Sequence, residues 1–92
     1  MKFIRTCFGE WVNPAQVKHF NIRQLNRYNG AEYVAVRADE VTLRDFDIEA
    51  VPDDVTNAKS RESAYAANRR RARAAAIDWL DNLMEGLGNE IG

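Results

Sequence analysis

The chain has one cysteine, Cys7, one histidine, His19, and two prolines, Pro14 and Pro52. A lone cysteine excludes an internal disulfide framework and a cysteine-built zinc site. A lone histidine with no nucleophile or paired carboxylate beside it supplies no general acid–base couple. Asp45, Asp47 and Glu49 alternate, but without the spacing of a calcium loop, so they read as a solvated acidic edge. No apolar run approaches the ~18–20 residues of a membrane span. Arg5 falls where a signal peptide needs its apolar stretch. Glycine-rich phosphate loops, Gly-x-Ser-x-Gly elbows and His-Glu-x-x-His pairs are all missing. These absences lead us to expect a cytoplasmic protein that is not an enzyme. No catalytic residue, metal ligand, cofactor or small-molecule substrate is evident.

What the chain does have is enough apolar and aromatic sequence, within 92 residues, for one small domain with a single core. Phe3-Ile4-Arg5-Thr6 is a short strand candidate, followed by a turn at Phe8-Gly9-Glu10. Pro14 keeps the next unit, from Trp11, out of a central ladder. Residues 17–23 alternate, with Lys18, Phe20 and Ile22 on one face and Val17, His19, Asn21 and Arg23 on the other. Asn29-Gly30 is a hairpin signal, because both positions tolerate positive φ. Tyr33 to Arg37 and Val41 to Phe46 complete the β-rich half. In the second of these, Val41, Leu43 and Asp45 are expected to face away from Thr42, Arg44 and Phe46.

Beyond Asp47 the β pattern stops. Pro52-Asp53-Asp54 reads as a helix opening, and 57–87 contains no proline and abundant alanine until Gly86. The expected fold is α+β, a three- to four-stranded antiparallel meander packed by one long C-terminal α-helix. It forms a single domain, 1–92, with the meander at 1–47, an acidic connector at 48–56, the helix at 57–87 and a frayed tail at 88–92. Ala76, Ile77, Leu80, Leu83, Met84 and Leu87 form the stripe expected to cover the sheet. The rim residue Trp79 could cover a sheet edge or fill a partner's pocket.

Charge is segregated although the net charge is −1. Residues 1–38 carry +4 (six Lys/Arg, two Glu) and residues 39–54 carry −6 (seven acids, Arg44). Residues 55–77 carry +5 (six Lys/Arg, Glu62) and the remainder −4. Within the third block stand Arg69, Arg70, Arg71 and Arg73, with no carboxylate at i±3 or i±4 of any of them. A solvated helix face normally interleaves signs, since an i,i+4 ion pair is worth about 0.2–0.5 kcal/mol and a like pair costs as much. Three readings stay open: a solvated or internally paired helix end, a contact with an acidic protein surface or a second copy of the chain, and a contact with nucleic acid phosphates. Arg69, Arg70, Arg71, Arg73, Arg61 and Trp79 are the candidate partner-binding residues. Arg69 and Arg73 lie on the upstream extension of the apolar stripe, so upstream of Ala74 the helix is expected to bend away near Asn68, to pack on another chain or to overhang the sheet. That overhang suggests a dimer, with residues 39–54 of one copy against the arginines of the other.

The ordered set Phe3-Ile4, Trp11-Val12-Asn13, Tyr33-Val34-Ala35-Val36, Val41 to Asp47 and Ile77 to Leu83 resembles short uncharacterised β-meander-plus-helix proteins of Gram-positive bacteria and their phages. The resemblance spans about half the chain, and residues 48–74, with the arginines, fall outside it. It implies the fold and no specific activity. By analogy of size it suggests a phage or mobile-element protein, cytoplasmic in the host cell, that binds and modulates a larger host protein such as defence machinery. The alternative is a nucleic-acid-associated accessory protein using the same arginines.

Overall fold

The computed structural model describes residues 3–91, with side chains through Gly86. In chain order it has β1 (Ile4–Arg5), β2 (Trp11–Val12), a 3₁₀ turn (Pro14–Gln16), β3 (Phe20–Asn26), β4 (Glu32–Ala38), β5 (Val41–Asp47) and α1 (Ala58–Ile91). β1 and β2 pair as an antiparallel ribbon, and β3, β4 and β5 form an antiparallel meander that packs one face on α1. The fold is therefore α+β, a three-stranded meander with a separate two-stranded ribbon.

Turn chemistry sets the register. Gly30 takes φ +88°, and the hairpin closes through Arg27 N–H to the Ala31 carbonyl at 2.6 Å. Asp39 turns β4 into β5 with φ +55°, a conformation Asp tolerates better than most residues. Its carboxylate accepts from the Lys18 and His19 N–H groups at 3.1 and 3.2 Å, which ties that turn to the entry of β3. The Lys18 bond, followed by the His19 bond and the nearby positive charge, holds the Asp39 carboxyl below the usual carboxylate range.

Val34, Val36 and Ala38 of β4 are buried on the helix side, with Ile22 opposite Val36 and Phe46 opposite Val34. Strict alternation would put Leu43 and Phe46 on opposite faces, yet Leu43 belongs to the buried cluster and Phe46 packs against that cluster. The ladder steps from Val36↔Arg44 to Arg37↔Thr42 and leaves Leu43 without an opposite residue. That bulge resets the parity of the strand beyond Leu43, so Leu43 keeps the face of Val41, which stands opposite Ala38, while the expected grouping of both with Asp45 does not hold.

The helix begins later than Pro52. Residues 52–55 form a turn closed by Val55 N–H to the Pro52 carbonyl. Asn57 caps α1, its Oδ1 accepting from Ser60 N–H at 3.1 Å. The helix then passes Gly86 and Gly88 and reaches Ile91; Gly92 lies outside the described residues. Its buried face centres on Ala72 and Ala76, at 6% and 0% exposure, while Ile77 is 42% exposed. Tyr65, Trp79, Leu80, Leu83 and Met84 pack around that line. Ile77 therefore faces outward, contrary to the expected stripe, and the Leu87 side chain lies outside the described set. Two alanines let the helix axis approach the sheet more closely than an Ile-centred face would allow.

The upstream half of α1 is held by its own chain. Arg61 Nη1 donates to the Pro52 carbonyl at 3.0 Å and also to the Val55 carbonyl. Asn68 Nδ2 donates to the Glu49 carbonyl at 2.9 Å. Contact runs from Tyr65 to Met84, ~29 Å of helix against ~23 Å of seven-residue strand. The length mismatch that suggested a dimer is thus largely absorbed within one chain. A methyl group added at Gly86 would meet no atom within 4 Å. Gly86→Ala is therefore expected to stabilise the protein by about 0.5–1 kcal/mol, read as a higher thermal midpoint. An unchanged or lower midpoint would mean that the helix does not persist past Gly86.

Candidate interaction surface

Helical geometry, not sequence adjacency, decides where the four arginines point. At roughly 100° per residue, Arg69 and Arg73 fall on one flank of the Ala72–Ala76 line, Arg70 points outward beside them, and Arg71 falls on the opposite flank. Arg69, Arg70 and Arg73 accordingly line one cleft of about 360 Å³ together with Gln24 of β3 and Val34 of β4. Arg71 lines a different cleft, with Phe46, Asp47, Glu49 and Asn68. Its guanidinium donates to Asn68 Oδ1, which spends it on the helix's own attachment.

The three-arginine cleft has a built floor. Gln24 Nε2 donates to Glu32 Oε2 at 3.1 Å and to the Tyr65 hydroxyl at 3.3 Å. The Arg69 guanidinium carbon lies 5.9 Å from the Tyr65 ring centroid, within reach of a cation–π attraction. Glu32, Gln24 and Tyr65 thus set the position from which Arg69 extends. Gln24, Val34 and Tyr65 were not among the expected site residues. A signal for Gln24 exists in the sequence, since it follows Phe20 and Ile22 at the same strand parity and is polar where that face is otherwise apolar.

Three carboxylates of the acidic block, Asp39, Asp45 and Asp47, are paired elsewhere. Arg27 contacts Asp45 at 3.1 Å and Asp47 at 2.6 Å, and His19 contacts Asp39 at 3.5 Å. Arg27 also lies 4.4 Å from the Tyr33 ring centroid. Among the described residues, none of Arg69, Arg70, Arg71 and Arg73 makes a salt bridge. Among the described residues the acidic 39–54 block is therefore paired in part with the first basic block and makes no salt bridge with the 55–77 block.

Of the other candidates, Arg61 is occupied by connector carbonyls. Trp79 is half-buried and lines a third cleft with Arg5, Thr6, Cys7, Leu43, Arg44 and Asp45. Neither residue lines the three-arginine cleft. Partial burial, then the Asp45 carboxylate, push the Cys7 thiol above its ordinary value, which favours the unreactive protonated form. His19 is exposed. Among the described residues no three His, Cys, Asp or Glu side chains are grouped closely enough to share a metal ion. No described helix is long and apolar enough to cross a membrane. Comparison with protein-family models, with curated proteins and with solved structures finds no match.

Proposed function

We propose that the chain is a non-enzymatic interaction module that binds an acidic protein surface through Arg69, Arg70 and Arg73. On this reading it is a small protein of a phage or mobile element that modulates a larger host protein, defence machinery included. The observation that carries the binding surface is the convergence of three salt-bridge-free arginines on one cleft, while the carboxylates of β5 are taken by Arg27. Charge-assisted hydrogen bonds to carboxylates are worth about 1.5–3 kcal/mol each, so three such cations form a strong anchor when a partner supplies the acids. The host-protein role rests on size and on the resemblance alone.

A protein partner fits better than nucleic acid. The chain's pI is ≈ 5.8, Glu32 borders the cleft through Gln24, and Arg71 points away from the other three. A duplex or single strand calls for a continuous basic track.

The test reverses Arg69, Arg70 and Arg73 to Glu together and follows capture from nuclease-treated host lysate. Circular dichroism should be unchanged, while capture falls by at least about 100-fold. Arg71→Glu should retain capture. Loss of wild-type capture on nuclease treatment, with an affinity falling steeply with salt, would favour the nucleic-acid reading. Capture indifferent to the triple reversal would remove the arginines from the interface.

A further inference from the structure

The cleft opens beside a free sheet edge. β3 is the terminal strand of the meander and, among the described residues, pairs with β4 alone. Arg27 N–H bonds the Ala31 carbonyl and Asp39 N–H bonds the His19 carbonyl, so the odd-numbered residues of β3 form the hydrogen-bonded pairs with β4. The backbone N–H and C=O groups of Phe20, Ile22, Gln24 and Asn26 therefore point away from the sheet. Free edges of this length are normally blunted by bulges, inward charges or covering chain. β5 has such protection: the bulge at Leu43, the Asp45 and Asp47 carboxylates, and the ribbon, which docks by Cys7 N–H to the Leu43 carbonyl at 2.9 Å. β3 has no bulge, no proline and only Arg23 as a charge within its span.

We propose that the occupant of the three-arginine cleft is an extended acidic segment of a partner protein, added as a fourth strand on the free edge of β3. The inference rests on the arginine reading above and specifies the conformation and chemistry of the partner. Residues opposite each other on paired strands share a face. A residue of the added strand opposite Gln24 therefore points toward Arg69, Arg70 and Arg73, and an acid there meets all three. The adjacent residue, opposite Arg23, lies on the outer face beside that exposed guanidinium and is also best acidic. The next positions stand opposite Ile22 on the helix side and Leu25 on the outer side, both half-buried, and are best apolar. The recognised pattern is apolar-acid-acid-apolar, which reads the same for parallel or antiparallel addition. Backbone pairing supplies affinity and the alternating side chains supply selection, as in other strand-addition modes.

A capped peptide reading Ser-Thr-Val-Glu-Glu-Val-Thr-Ser tests this by amide NMR on the full chain. Binding should slow solvent exchange at the amides of Phe20, Ile22, Gln24 and Asn26, and leave those of Asn21, Arg23 and Leu25 as they were. N-methylation of the peptide at alternate positions should weaken binding by about tenfold or more, through lost backbone bonds. So should Gln24→Pro, which removes an outward N–H and no β3–β4 bond. Should Gln24→Pro not fold, the N-methylated peptide on the wild-type chain decides alone. An N-methylated peptide that binds as tightly as its parent would overturn strand addition, and reversal of the three arginines would still abolish binding if they carry the contact. Binding indifferent to that reversal would overturn the arginine reading itself, and with it this inference. Protection of the same four amides in the free protein, rising with its own concentration, would assign the edge to a second copy of this chain and overturn the choice of a foreign segment.

Discussion

Leu43→Ala is expected to destabilise the domain by about 2–5 kcal/mol, a large share of the roughly 5–14 kcal/mol available to a chain of this size. Leu43 is 1% exposed and sits in the cluster with Ile4, Val34, Val36, Ala72 and Ala76. It occupies the bulge, where the alternation of β5 is reset between Leu43 and Arg44, and its carbonyl anchors the ribbon through Cys7. Truncation removes contact with the sheet, the helix and the ribbon at one point, and no neighbour can collapse into the space without undoing the bulge. Val41→Ala is the control, since Val41 is 37% exposed at the start of the same strand and should cost no more than about 1 kcal/mol. Urea midpoints at constant slope provide the comparison. A loss at Leu43 below ~1 kcal/mol would show that the bulge does not deliver this side chain to the core.

Leu43 and Asp45, two residues apart yet on opposite faces, mark where local sequence pattern stops being informative. The α+β class was legible because Asn29-Gly30 fixes one hairpin, residues 20–23 alternate cleanly, and the alanine-rich segment can hardly be anything but helix. β1 and β2 are two residues each, too short for any periodicity to appear. The bulge was not legible, because one unpaired residue leaves composition untouched while inverting the parity of every residue beyond it. Pro52 misled for a related reason. A Pro-Asp-Asp opening is equally good at starting a turn, and the cap belongs to Asn57.

The candidate site shows the same division. The arginine concentration was visible at once, since it violates the usual interleaving of charge. Its division into three and one was not, because it depends on the rotation of α1, and alanine carries almost no information about which face is buried. Large side chains place the helix by what they cover, whereas Ala72 and Ala76 place it by letting the backbone approach. The expected stripe therefore took in Ala76 but also Ile77, and stopped short of Ala72.

Ala76→Asp and Ile77→Asp together test that rotation. Ala76 has no solvent exposure and lies within the core cluster, so a carboxylate there would be buried without a partner. Uncompensated buried charge costs about 3–5 kcal/mol, and the lower helix propensity of Asp adds a few tenths. Ala76→Asp is expected to lower the thermal midpoint by roughly 12–40 °C, followed by the near-ultraviolet signal. Ile77, at 42% exposure, should accept Asp for about 1 kcal/mol or less. The new carboxylate at Ile77→Asp would stand four residues beyond Arg73 on the same helix flank. It should therefore weaken capture of an acidic partner while the protein stays folded, because it offers Arg73 an internal counter-charge. If the helix were turned as hydropathy alone suggests, with Ile77 toward the sheet, Ile77→Asp would destabilise the protein as much as Ala76→Asp. Arg69 and Arg73 would then continue the buried stripe rather than flank it. Equal destabilisation by the two substitutions would accordingly refute both the observed rotation and the three-arginine cleft that depends on it.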